Sequence, residues 1–358
     1  MDWLYGIPVL GVLAQLVAYL VEVFPGMGPI VLGLATPIAL GALCGILNER
    51  SGVVNIGIEG MMLTSAFVSF LVAGLAAGAL GSQAGPVFGA TLALLIGVLA
   101  GIATGVLVSL LHAWLSISIR ADQIISGTII NIAALGITGY LNRLIISGNP
   151  RLGAGTFRSF SPPDFLTDIP IVGWILNMFL AKGPIAMSVI VLVIVVQVLL
   201  FRSRWGLRTR AVGEHPRAAE TVGIDVIVMR YRNVLIGGVF AGLAGAFLTL
   251  ESNSSFQNGM TAGRGFIALA CVIFGRWTPV GAFGAALLFA SSDALGIAVQ
   301  LRPPRAEFGE LAAIVAAIPV EIYSALPYIV TLIVLAGVVG RSTAPAAVGQ
   351  PYEKESRT

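Results

Sequence analysis

Few side chains in this sequence could do chemistry, and most are carboxylates and amides set among apolar residues. The clearest group is Asn48-Glu49-Arg50-Ser51-Gly52-Val53-Val54-Asn55-Ile56-Gly57-Ile58-Glu59-Gly60. Asn55 and Glu59 stand four residues apart, a spacing that puts both on one face of a helix. The glycines at 52, 57 and 60 predict that this helix is broken or irregular. Broken helices carrying polar groups commonly line transporter substrate sites. Asn55 and Glu59 therefore read either as cavity-lining groups or as a local pair near the mouth of a bundle. Asp122, Gln123, Ser126, Thr128 and Asn131 open a later helix. Asn131 is a second candidate for the path, whereas Asp122 equally suits an N-cap. Asp293, in Ser291-Ser292-Asp293, falls midway along another apolar stretch and is a third candidate. Glu251, Asn253, Gln257 and Asn258 close a further helix, either as a docking face or as solvated groups.

Other chemistries are excluded. The two histidines, His112 and His215, belong to no cluster that could hold zinc or build a nucleophilic triad. His112, next to Trp114 near a helix end, reads as packing. Cys44 and Cys271 lie in apolar surroundings without metal or Cys-x-x-Cys spacing, and read as inert. A phosphate-binding Walker A loop needs Gly-Lys-Ser/Thr. The two lysines occur in Ala181-Lys182-Gly183 and Glu353-Lys354-Glu355. The chain is therefore expected to need no cofactor or metal and to be no enzyme. Any ATP-driven work must come from another polypeptide.

The elements that position these groups follow from composition. Charged residues make up 10% of the chain and hydrophobic ones 57%, against about 25% charged in a soluble domain. Mean hydropathy is +0.95. No formal charge lies between Glu22 and Glu49, or between Glu59 and Arg120. A crossing helix needs about 20 apolar residues. Val189 to Val196 is apolar without alternation, which excludes a transmembrane barrel. The expectation is an all-α, polytopic integral membrane bundle forming a single domain over 1–358. It has about ten crossings, near 6–23, 28–47, 53–76, 86–111, 123–146, 184–201, 233–251, 265–275, 280–299 and 326–340. The stretch 265–275 is too short to cross upright, and Leu311–Ile318, ended by Pro319, reads as interfacial or re-entrant. The first stretch lacks a basic leader and a small-residue cleavage site, and is expected to be retained.

Seven arginines, Arg202, Arg204, Arg208, Arg210, Arg217, Arg230 and Arg232, fall within 202–232. This basic segment is expected in the cytoplasm. Counting crossings from it places both termini, Arg50, Arg120 and the tail residues Arg341, Lys354 and Arg357 inside, and 147–183 outside as an external loop with a short helix at Ile171–Leu180. No basic face is interleaved with stacking aromatics, so nucleic acid is not an expected partner. Within the basic segment, Pro216 suits a first helical turn and Gly223 a C-terminal cap. Gly97, Gly101 and Gly105, with Gly238 and Gly242, form G-x-x-x-G patterns that bring helices close, within this subunit or against a second one.

Four stretches carry a family likeness: Glu49–Met62 (ERSGVVNIGIEGMM), Ala211–Ile224 (AVGEHPRAAETVGI), Gly263–Ala286 (GRGFIALACVIFGRWTPVGAFGAA) and Ala344–Lys354 (APAAVGQPYEK). The chain resembles permease subunits of bacterial ABC importers for nucleosides and simple sugars, related to the ribose and branched-chain amino acid permeases. The first and last stretches look most like the nucleoside branch. The resemblance implies several partners: an ABC ATPase with nucleotide-binding domains, a second permease subunit (a related chain or itself), and an extracytoplasmic binding lipoprotein. It implies a setting in the bacterial cytoplasmic (inner) membrane. It implies that Glu214, His215, Pro216, Arg217, Ala218, Ala219, Glu220 and Gly223 belong to a coupling helix that docks on the ATPase. It also implies that Asn55 and Glu59 lie by the translocation path. Nucleosides, purine-like compounds and simple sugars all stay open as substrates. A proton-coupled secondary transporter with Glu59, Asp122 or Asp293 as relay would account for the buried carboxylates but not for the four stretches.

Overall fold

The computed structural model describes residues 8–80, 85, 88–149, 152–163, 165, 169, 172–326, 329 and 343–353. The regular elements among the described residues are helices. They are α1 (Pro8–Arg50), α2 (Ile58–Leu80), α3 (Leu92–Ala113), α4 (Gln123–Leu141), α5 (Val172–Leu180), α6 (Pro184–Arg202), α7 (Arg204–Glu214), α8 (Pro216–Thr221), α9 (Val226–Phe247), α10 (Arg264–Phe274), α11 (Pro279–Leu301), α12 (Gly309–Ala317) and α13 (Val320–Ser324). Wider π turns extend α3 to Ser118, α4 to Ile146 and α9 to Ser252.

Seven spans among the described residues are long and apolar enough to cross a membrane, with Gly11–Val23 and Arg264–Phe274 as shorter apolar helices. The chain is thus a polytopic helical membrane protein, and the expected count of about ten included short segments such as 265–275. The crossing at 326–340, apart from residues 326 and 329, and the tail residues Arg341, Lys354 and Arg357 lie outside the described residues. The stretches at 6–23 and 28–47 join in the single 43-residue helix α1. Proline and glycine are tolerated within helices in lipid when neighbouring groups satisfy the backbone, so Pro25 and Gly26 do not force a turn. The helix expected at 233–251 starts earlier, at Val226. There Asp225 caps it, its carboxylate accepting from Val228 N at 3.0 Å. The stretch 202–232 is therefore α7, α8 and the first turns of α9. α12, of nine residues, stops just before Pro319, and at about 1.5 Å per residue it cannot cross.

The contacts divide the chain into two compact units. The smaller takes its described residues from Met1–Ala35, Phe160–Lys182 and Leu287–Gly340, the larger from Thr36–Ser159, Gly183–Ala286 and Arg341–Thr358. In the smaller, the start of α1 packs on the segment after α11. Tyr19 donates to Arg302 O at 2.8 Å, and its ring meets Phe308 edge to face at 5.8 Å. Gln15 Oε1 accepts from Leu311 N at 3.1 Å.

In the larger unit, α2, α3 and α9 approach through small residues. A methyl added at Gly105 would sit 2.6 Å from Gly242 N, one at Gly242 would sit 2.6 Å from Gly101 O, and one at Gly245 2.6 Å from Ala66 N. The two G-x-x-x-G patterns thus meet each other within this subunit. With little hydrophobic drive between helices in lipid, such close packing supplies much of their association. Gly105→Ala is expected to destabilise the bundle by about 1–3 kcal/mol through overpacking. Gly136→Ala on α4, where a methyl meets no described atom within 4 Å, should not lower stability. Thermal melts of the detergent-purified variants check both.

Candidate functional site

The chain between α1 and α2 is not helical. Gly52 takes φ +89°, a left-handed conformation that costs glycine little. Val53–Asn55 then run without regular structure, and α2 begins at Ile58. Asn55 and Glu59 therefore do not share a helix face, as their spacing suggested. Asn55 precedes the helix and is fully buried, with its Oδ1 accepting from Gly57 N at 3.0 Å. Several peptide groups of this break find side chains. Val54 N donates to Gln123 Oε1 at 2.7 Å, and Val54 O accepts from His112 Nε2 at 2.9 Å. The other ring nitrogen of His112 lies 3.1 Å from Ser126 Oγ. Asn131 spans the gap: its Nδ2 donates to Ile56 O at 3.0 Å and its Oδ1 accepts from Gly60 N at 2.7 Å. The glycines let α4 press on this segment, since a methyl at Gly127 would fall 2.7 Å from Gly57 N and one at Gly60 2.8 Å from Ile130 O.

Glu59 faces another helix start. Its Oε1 accepts from Gly263 N at 2.8 Å and its Oε2 from Gly265 N at 2.6 Å. Both oxygens are thus bound at the N-terminus of α10, where unpaired N–H groups and the helix dipole favour an anion. Gly265 permits this approach, because a methyl there would sit 2.6 Å from Glu59 Cα. α10 runs alongside the last turns of α1 in the same direction. Gly41 faces Ala268, Gly45 faces Val272, and Glu49 Oε2 accepts from Trp277 Nε1 at 2.5 Å. Its eleven residues span about 16 Å, roughly half the hydrocarbon thickness. α10 is therefore a half-helix, too short to cross alone, and its end shares the level of Arg50. Arg276 and Trp277 there both take φ +53°, a rare conformation for such residues. Arg50 holds it, with Nε donating to Trp277 O at 3.0 Å.

Other candidate residues fall elsewhere. Asp122 caps α4, accepting from Ile124 N at 2.8 Å and Ile125 N at 2.9 Å. Glu251 accepts from Ile185 N at 2.7 Å and Ala186 N at 3.1 Å, and so holds the start of α6. Asn258 Oδ1 accepts from Asn142 Nδ2 at 2.8 Å. Asp293 is partly buried on the part of α11 that belongs to the smaller unit, whereas Asn55, Glu59 and Asn131 belong to the larger.

In the basic segment, Pro216 opens α8 and Gly223 follows it at φ +84°. Ala219 is buried against Val212, Val226, Met229 and Tyr352, so of the two small residues only Ala218 faces outward. His215, Arg217, Thr221, Val222 and Gly223 share the exposed side. Glu214 lies 4.0 Å from Arg50 and accepts from Ala346 N at 3.1 Å, while Glu220 bonds the Tyr352 hydroxyl. The roles of Tyr352 and Arg230 carry no local signal: one sits in a short polar tail, and the other counts as one more loop arginine.

Family comparison adds to this geometry. The family described as branched-chain amino acid transport system / permease component matches residues 30–335. The chain belongs to this permease family. It is 38% identical over 340 residues to the guanosine ABC transporter permease protein NupQ of Bacillus subtilis, covering 94% of this chain and 99% of that protein. It is 34% identical over 325 residues to the nucleoside ABC transporter permease protein NupC of Lactococcus lactis, covering 89% and 94%. It is 27% identical over 326 residues to the glucose ABC transporter permease protein TsgB13 of Haloferax volcanii, covering 84% and 82%. No solved structure matches the chain.

In Glu59→Gln, an amide NH2 would face one of the two backbone donors. The variant is expected to lose about 1.5–3 kcal/mol of stability, the range of a hydrogen bond to a charged group. Denaturation of the purified protein in detergent measures it.

Proposed function

We propose that this chain is the permease subunit of an ATP-driven importer for nucleosides, assembled with an ABC ATPase, a second permease subunit and an extracytoplasmic binding protein. The observation that carries the reading is the likeness to a guanosine permease along 99% of that protein's length. The site fits a neutral solute. A half-helix N-terminus at membrane depth attracts anionic groups of substrates, and here Glu59 already fills that position. The path would run past the break, with Glu59 and Asn131 fixing its edge and Asn55 bracing it from within. The glucose permease among the relatives supports a simple sugar as the second reading.

The energy would come from the ATPase, since no Walker A sequence is present. Its contact would be the outward side of α8, where Ala218 and Val222 offer a small apolar patch between His215 and Arg217. The protein would reside in the bacterial cytoplasmic membrane. The end of the larger unit that gathers Arg50, Arg120, α7 and α8 would face the cytoplasm, along with both termini. A proton relay through Glu59 is disfavoured, because both of its oxygens serve as acceptors for α10.

The test is reconstitution of the four-part complex in vesicles with labelled guanosine, glucose and leucine. ATP-dependent uptake of guanosine is expected, together with a loss of at least about tenfold in Ala218→Trp, the scale of a disrupted interface centre. Uptake by the lone chain driven by a pH gradient would contradict the proposal.

A further inference from the structure

The tail stretch Ala344–Lys354 carries part of the family likeness, but its place in the fold points further. Its described residues, 343–353, fold back onto three separate parts of the larger unit. The first is the α7–α8 corner. Ala347 N donates to Gly213 O at 2.9 Å, Ala346 N donates to Glu214 Oε2 at 3.1 Å, and Tyr352 bonds Glu220 while its ring is buried among Val212, Ala219, Val226 and Met229. The second is the break before α2, where Gly349 N donates to Gly52 O at 3.3 Å. The third is the α3–α4 connection, where Arg120 pairs with Glu353 at 2.6 Å.

Arg230 on α9 lies at the centre of these contacts and is only 1% exposed. A buried guanidinium is costly unless paired, yet its partners here come from the tail. Nη1 donates to Gln350 O at 2.9 Å, and the group sits 5.9 Å from the Tyr352 ring, within cation–π range. Its Nε and Nη2 find no hydrogen bond among the described residues. Nη2 presses on the break, since a methyl at Gly52 would lie 2.7 Å from it. Arg230 is thus wedged between the tail and Gly52. The chain from Gly52 leads within a few residues to Asn55 and Glu59.

We propose that residues 343–353 are a transmission strap. They make α8, the start of α9 and the break before α2 move as one body, with Tyr352 and Arg230 as positioning residues. Displacement of α8 by a motor subunit would then reach the residues at the start of α2 directly. This inference rests on the importer reading above.

The experiment measures guanosine transported per ATP hydrolysed by the full reconstituted complex. Tyr352→Phe keeps the ring and removes the bond to Glu220. It is expected to lower that ratio about tenfold, the scale of one hydrogen bond to a charged group. Tyr352→Ala and a chain ending at Ser342 should lower it further, with the ATPase still co-purifying and hydrolysing ATP. An unchanged ratio in Tyr352→Phe and Tyr352→Ala, with the wild-type complex active, overturns the strap. Loss of ATPase co-purification would also overturn it, because the tail would then be a docking surface. Failure of the wild-type complex to move guanosine would instead count against the importer reading.

Discussion

A helix that starts inside a membrane leaves N–H groups with no water to bond, and the structure depends on how those groups are met. Glu59 meets two at the start of α10 and Glu251 two at the start of α6. Asn131, Gln123 and His112 meet the peptides of the break between α1 and α2. These polar side chains are scarce because each answers a defined backbone demand. Remove one, and the remaining partner is an unsatisfied group in a medium of low dielectric, which costs more than the bond itself contributed.

The glycines are the steric counterpart of this arrangement. Side-chain amides reach a broken backbone only if a neighbouring helix lies against it, and Gly57, Gly60 and Gly127 let α4 do so. The same device joins α3 to α9 through Gly105 and Gly242. α9 carries the effect onward, since it holds the glycine seam along its length and Arg230 near its start. The bundle around the break is therefore held by close backbone contacts as well as by its buried large side chains.

Much of this was legible in the sequence, for reasons particular to each element. Uncharged runs marked the spans, Gly52, Gly57 and Gly60 marked the break, and Pro216 with Gly223 framed a short helix. What could not be read were pairings between distant residues. Nothing near Glu59 announces that Gly263 and Gly265 will be its partners, and a spacing of four suggested a shared face with Asn55 that the break abolishes. Ala219 and Ala218 are adjacent small residues, and only packing against Tyr352 decides which one is buried. Arg230 counts as a loop charge until α9 is seen to begin at Val226. The expected stretches 6–23 and 28–47 are one helix, because a proline and a glycine inside it do not end a helix in lipid as they would in water.

The central claim is that Glu59 is the cap of α10, both of its oxygens accepting from the backbone there. Amide hydrogen exchange at residues 263–267 tests this directly in the detergent-solubilised protein. The account predicts slow exchange at Gly263 and Gly265 in the native chain, and loss of that protection at one of the two at least in Glu59→Gln while the amides of α3 and α9 stay protected. Equal exchange in the two proteins would contradict it.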